Sequence, residues 1–126
     1  MANELILIIE DNERNRKLIR DLLQVKGYQT IESETAEDGL NLAEEKTPAL
    51  ILMDIQLPGM DGISAMKQLK AAAKTKSIPI VAITASAMTH NRQTMLAEGF
   101  DGYQTKPLSL KEFLQEVKRL IAKDDG

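Results

Sequence analysis

The sequence predicts an α/β fold built on one parallel five-stranded sheet, and three observations carry the prediction. Three uninterrupted aliphatic runs, Leu5 to Ile9, Leu50 to Met53 and Ile80 to Ile83, have the length of strands buried on both faces. The first ends in Glu10 and Asp11, the second in Asp54 and the third in Thr84. Between these runs lie segments of helical periodicity with capping residues at their ends. Parallel neighbours need crossovers, and right-handed helical crossovers supply them, so this alternation implies a sheet with helices on both faces.

Leu5 to Ile9 is the first strand. In the helix after it, Leu18, Ile19, Leu22 and Leu23 share one face, and Gly27 stands where a C′ glycine stops a helix. Tyr28 to Glu32 is a weaker second strand. Thr35 is placed to cap a second helix, Ala36 to Lys46, with Leu40 and Ala43 on one side. After the third strand, Asp61 and Gly62 shape the loop into a third helix, Ile63 to about Ala73. Pro79 falls at the first residue of the fourth strand, where proline is tolerated. Thr89 to Glu98, closed by Gly99, is the fourth helix, and Gly102 to Thr105 a weaker fifth strand. Ser109 to Glu112 reads as a capping box opening the fifth helix, whose inward stripe is Leu110, Phe113, Leu114, Val117, Leu120 and Ile121. Only Lys123 to Gly126 are left beyond it. The expected strand order is 2-1-3-4-5, a doubly wound, flavodoxin-like (βα)5 arrangement, which binds ligands beyond the carboxyl ends of its first and third strands. Those ends carry Glu10, Asp11 and Asp54.

At 126 residues the chain is expected to form one domain, residues 1–126, with no room for an output domain. Hydrophobic residues at 43% and charged ones at 28% fit a globular protein, and no run reaches the roughly 20 apolar residues of a membrane span. The stretch from Met1 lacks the basic start and long apolar run of a signal peptide, so a cytoplasmic location is expected. Cysteine is absent, which removes disulfides and thiolate chemistry. A net charge of −3, dispersed basic residues and 3% aromatics leave neither the basic stripe nor the stacking platform of a nucleic-acid binder.

Three carboxylates gathered at one sheet end repel one another unless a cation or protons offset them. Mg²⁺ suits all-oxygen donors, and with no cysteine or histidine among them Zn²⁺ is disfavoured. The plainer alternative is that buried strands end in acids simply because they end at solvent. Thr84 and Lys106, at the ends of the fourth and fifth strands, weigh against it. A nucleophilic carboxylate, a hydroxyl and a fixed ammonium around a divalent cation form a set suited to a phosphoryl group.

The segments Ile9-Glu10-Asp11-Asn12, Leu52 to Gly62, Ile83-Thr84-Ala85 and Lys106-Pro107, each at a strand end and in this order, resemble the receiver domains of two-component response regulators. The resemblance covers essentially the whole chain. The Glu-Asp-Asn start and Gly27-Tyr28 are most similar to single-domain regulators of the DivK type, although similar receivers also occur attached to hybrid histidine kinases. It implies that Asp54 accepts a phosphoryl group from the phosphohistidine of a histidine kinase or phosphotransfer protein. Asp11, Asp54 and the Gln56 carbonyl would ligate Mg²⁺, with Glu10 acting through water and Lys106 pairing with a phosphoryl oxygen. Thr84 would move to bond another oxygen and Tyr103 would turn into the space vacated, carrying the signal to the face of helix four, strand five and helix five. A downstream protein would read that face, and the chain is expected to be a monomer. The receiver would assist its own phosphorylation and dephosphorylation without being an enzyme of other substrates. Without the resemblance, Tyr103 reads equally as a half-buried strand aromatic, and the Lys106–Pro107 bond as either a cis peptide aiming the lysine or a trans turn.

Gln56 and Ser86 occupy positions that tune phosphate lifetime in such domains. Asn12 and Asn15 read as local caps, His90 as a solvated residue at the start of helix four, and Met60, Met66, Met88 and Met95 as packing or adaptable surface. A haloacid-dehalogenase-type phosphatase would want a second aspartate where Gln56 stands. A flavin carrier would want a glycine- and hydroxyl-rich loop after the first strand, not acids that repel phosphate. A phosphorylation-independent docking module is the third alternative.

Overall fold

The computed structural model describes residues 3–125, with side chains described through Ala122. Its elements run β1 (Leu5–Ile9), α1 (Glu13–Val25), β2 (Gln29–Ser33), α2 (Ala36–Lys46), β3 (Leu50–Asp54), α3 (Gly62–Ala71), β4 (Ile80–Thr84), α4 (Arg92–Glu98), β5 (Gly102–Thr105) and α5 (Leu110–Asp125). All strand pairings are parallel, in the order β2-β1-β3-β4-β5. The expected fold class and strand order are those observed.

Period-2 alternation divides the core between the two faces of the sheet. Leu7, Ile9, Ile51, Met53, Ile80 and Ala82 pack toward α2, α3 and α4, through Ala36, Ala43, Ala65, Met66, Leu69 and Met95. Ile6, Ile8, Leu50, Leu52, Val81 and Ile83 pack toward α1 and α5, through Ile19, Leu23, Phe113 and Val117. Both layers are needed because β3 and β4 are buried along their whole length.

Several boundaries differ from expectation, each for a local reason. Tyr28 N–H donates to the Leu23 carbonyl (3.1 Å), holding Tyr28 in the terminal turn of α1, so β2 starts one residue later and includes Ser33. The turn uses Gly27 at φ 93°, where a side chain is strained. Asp61 does more than shape a loop: its carboxylate accepts from Ser64 N–H (2.8 Å) and caps α3, which begins at Gly62 and ends at Ala71 because Ala72 is extended. Residues 86–90 form a turn closed by His90 N–H donating to the Ser86 carbonyl (2.8 Å), and Asn91 caps α4, so that helix starts at Arg92 rather than Thr89. In α5, Ser109 accepts from Phe113 N–H through its carbonyl (2.8 Å), but among the described residues no side-chain bond of a Ser109–Glu112 capping box forms. The helix runs through Asp125, so 123–125 belong to it; Gly126 lies outside the described residues. Leu18 and Leu110 are about half exposed, at 49% and 51%, because the inward stripes pass through Ile19–Leu23 and Phe113–Val117 beside them.

Candidate active site

The parallel register brings four chain segments to one edge of the sheet. Ile9 pairs with Met53 and Asp54 with Ile83, so Glu10 and Asp54 leave adjacent strands side by side. Thr84 pairs with Thr105, which sets Lys106 just beyond the same edge. Carboxylate oxygens of Glu10, Asp11 and Asp54 lie within 4.8 Å of one another, the first and last buried and Asp11 exposed.

Lys106 lies between the two buried acids, Nζ at 2.7 Å from Glu10 Oε1 and 2.9 Å from Asp54 Oδ2. The Lys106–Pro107 bond is cis. The contact to Asp54 is a hydrogen bond, whereas the shorter one to Glu10 is an ion pair without hydrogen-bond alignment, so Oε1 is a buried oxygen lacking a directed donor. Glu10 Oε2 accepts from Asn12 N–H (3.1 Å) and Asp54 Oδ1 from Gln56 N–H (3.0 Å). Among the described residues no hydrogen bond ends on the Gln56 carbonyl.

One ammonium does not offset three carboxylates. Burial, reinforced by the nearness of Asp54 and only partly countered by Lys106, pushes the Glu10 carboxyl from its ordinary 4.5 up to about 7. Burial alone would lower the Lys106 ammonium, but Glu10 and Asp54 outweigh it and its pKa is raised. The remaining negative charge, the all-oxygen donors and the undirected Oε1 fit a hard divalent cation.

Other expected residues sit close by in different roles. The Thr84 side chain is fully buried, and its hydroxyl accepts from Ser86 N–H (2.9 Å) rather than bonding Asp54. Tyr103 is 5% exposed, not half-buried, and its hydroxyl donates to the His90 carbonyl (2.7 Å). The Arg92 guanidinium lies 5.4 Å from the Tyr103 ring centroid. His90 is half-buried with Nδ1 enclosed and unbonded, which corrects the reading of a solvated residue in α4. Met66 and Met95 are core, whereas Met88 is 97% exposed on the β4–α4 loop. Asn12 caps α1 by accepting from Asn15 N–H (2.9 Å).

Sequence reasoning passed over Arg16. Its Nη1 donates to the Glu10 carbonyl (2.9 Å) and its Nε to Glu32 on β2 (3.2 Å). No local spacing signals a contact that depends on β1 and β2 pairing.

The response regulator receiver domain model matches residues 6–118. This chain belongs to that family. The receiver is 42% identical over 116 residues to the polar-differentiation response regulator DivK of Brucella ovis, covering 92% of this chain and 94% of that protein. DivK of Brucella anthropi matches to the same extent, 42% over 116 residues. Among solved structures, the receiver domain of the sensor histidine kinase PA1611 from Pseudomonas aeruginosa has a TM-score of 0.88 at 32% identity, covering 96% of this chain and 99% of its own. That structure has a magnesium ion coordinated in the active-site cleft. A CheY-like receiver domain protein of Methanospirillum hungatei has a TM-score of 0.88 at 25% identity, covering 98% of both chains. The receiver is thus a signalling domain of the two-component type, with an acidic cluster compatible with Mg²⁺. No helix of the described residues is long and apolar enough to cross a membrane.

Proposed function

We propose that this receiver takes a phosphoryl group onto Asp54 from a phosphohistidine on a histidine kinase or phosphotransfer protein. The observation that carries the reading is Lys106 held between Asp54 and Glu10 beside Asp11. Asp11, Asp54 and the Gln56 carbonyl would hold Mg²⁺, with Glu10 reached through water. When bound, the ion supplies positive charge to the phosphoryl oxygens and helps align them for transfer. An Asp54 carboxylate oxygen attacks phosphorus, forming the aspartyl phosphate as the P–N bond breaks and its electron pair leaves on the donor imidazole. Lys106 is placed to shift from the carboxylates to a phosphoryl oxygen, and Thr84 to exchange the Ser86 amide for another. Hydrolysis returns inorganic phosphate and the Asp54 carboxylate.

Residues 1–126 are proposed to act as a single receiver unit, cytoplasmic and monomeric, whose output is protein binding through the face of α4, β5 and α5. Likeness to DivK over 94% of that protein supports this reading. The likeness to the receiver domain of the sensor histidine kinase PA1611 favours a second, a receiver domain that forms part of a hybrid histidine kinase. Incubation with Mg²⁺ and acetyl phosphate, or with beryllofluoride, is expected to modify the wild type and leave Asp54→Ala unmodified, read by intact-protein mass for phosphate and by amide NMR for beryllofluoride. Equal incorporation by the variant removes the assignment. A wild type that stays unmodified while binding its partners points to the docking-module alternative.

A further inference from the structure

We infer that Arg16 is a positioning residue for the metal loop, setting the affinity of the acidic pocket for Mg²⁺ by fixing the peptide plane between Glu10 and Asp11. This rests on the proposal that the pocket binds Mg²⁺. The Glu10 carbonyl belongs to the peptide whose rotation swings the Asp11 carboxylate toward or away from Asp54. Arg16 Nη1 donates to that carbonyl at 2.9 Å from one turn into α1. The guanidinium is in turn held by β2 and the residue after it: Nε bonds Glu32 Oε1 at 3.2 Å and Nη2 lies 3.6 Å from Glu34 Oε1. Arg20 also reaches the other oxygen of Glu32 at 3.3 Å, an outer contact that does not touch the loop. The Arg16 and Glu32 side chains are 13% and 27% exposed, so their bond is a partly buried clamp, whereas the Glu34 arm is solvated at 71% exposure. On the opposite side Asn12 N–H and Lys106 hold the Glu10 side chain. Partners that orient ligands in this way commonly change metal affinity by about 10- to 100-fold when removed.

The sign of the effect separates positioning from bulk electrostatics. Arg16 is a cation beside a cation site, and removing it also leaves Glu32 and Glu34 less compensated. Charge alone therefore predicts tighter Mg²⁺ binding in Arg16→Met, and loss of positioning predicts weaker binding. The test titrates Mg²⁺ alone into wild type, Arg16→Met, Arg16→Lys, Arg20→Met and Asp11→Asn, followed by calorimetry and by backbone amide shifts, which also report folding. Arg16→Met is expected to bind about tenfold more weakly, Arg16→Lys to recover part of the loss, and Arg20→Met, which touches Glu32 but not the loop, to bind within about twofold of wild type. Unchanged or tighter binding by a folded Arg16→Met overturns the inference while Asp11→Asn still loses Mg²⁺. An equal loss in Arg20→Met also overturns it, assigning the effect to β2. If the wild type binds no Mg²⁺, the metal reading itself fails and the inference falls with it. Should Arg16→Met prove unfolded, Arg16→Lys decides by its affinity: a loss supports positioning and wild-type affinity refutes it.

Discussion

The Tyr103 hydroxyl donates to the His90 carbonyl at 2.7 Å and so ties the middle of β5 to the turn that precedes α4. Pairing of Ala82 with Tyr103 and of Thr84 with Thr105 puts Thr84 and Tyr103 on the same face of the sheet, since each lies two residues from the other's partner or on it. A rearrangement of Thr84 would therefore be felt on the side that carries α4, whose Met95 belongs to the same buried cluster as Tyr103. Tyr103→Phe keeps the ring and removes the bond, leaving the partly buried His90 carbonyl without that donor, at a cost of about 1 kcal/mol. Faster hydrogen exchange is expected across residues 86–91 with β1 and β3 unchanged, measured by mass spectrometry. Uniform acceleration throughout the chain would instead assign the bond to global stability. The aromatic was visible in the sequence, but not its depth, because four strand residues say nothing about the helix that covers them.

At the scale of elements, α3 is docked directly onto the end of β3. Gly62 N–H donates to the Ile55 carbonyl (3.1 Å), and a Cβ at Gly62 would meet the Asp54 carbonyl at 2.6 Å and the Ile55 Cα at 2.9 Å. Those are backbone atoms, so the collision is relieved only by moving the helix or the strand end. Gly62→Ala is expected to destabilise by about 1–3 kcal/mol in urea unfolding and to slow acetyl-phosphate labelling of Asp54, because the displaced atoms carry the proposed acceptor. Wild-type stability and labelling would show that α3 yields freely. Strands β1, β3 and β4 were legible because a short, unbroken aliphatic run has few other uses, and α2 because Thr35 and its periodicity agree. The start of α4 was not, since Thr89 and Asn91 are both plausible caps and the bond between His90 and Ser86 that decides between them depends on the turn already being made.

For the whole molecule, the pocket links folding to protons and, on the proposal above, to metal. Glu10 titrates near 4.5 when unfolded and about 7 when folded, so between those values the folded chain holds a proton the unfolded chain has released. A raised acid stabilises least when ionised: its contribution falls as pH rises from about 4.5 to 7 and is flat above. In the metal-free protein this group is expected to make stability at about pH 7.5 lower than at about pH 5.5, by an amount on the order of 1–3 kcal/mol. Mg²⁺ held by the pocket would favour the ionised carboxylate and is expected to stabilise more at the higher pH. Urea unfolding of wild type and Glu10→Gln with EDTA or with Mg²⁺ measures both effects. An identical pH difference in Glu10→Gln would transfer it to other groups. The identities of the pocket acids were readable from strand ends, whereas the Lys106 bridge and the Arg16 clamp were not, because both cross between segments that meet only once the sheet is paired.

The pocket draws one wall from each of β1, β3, β4 and β5, in that order along the chain. During synthesis the acids of β1 and β3 are therefore made well before Lys106, which follows β5. An incomplete chain carries mutually repelling carboxylates without the ammonium that later lies between Glu10 and Asp54, so the proposed phosphoryl site is complete only with the last strand. On that proposal, a half-made receiver would lack the lysine that its finished form offers to the incoming group.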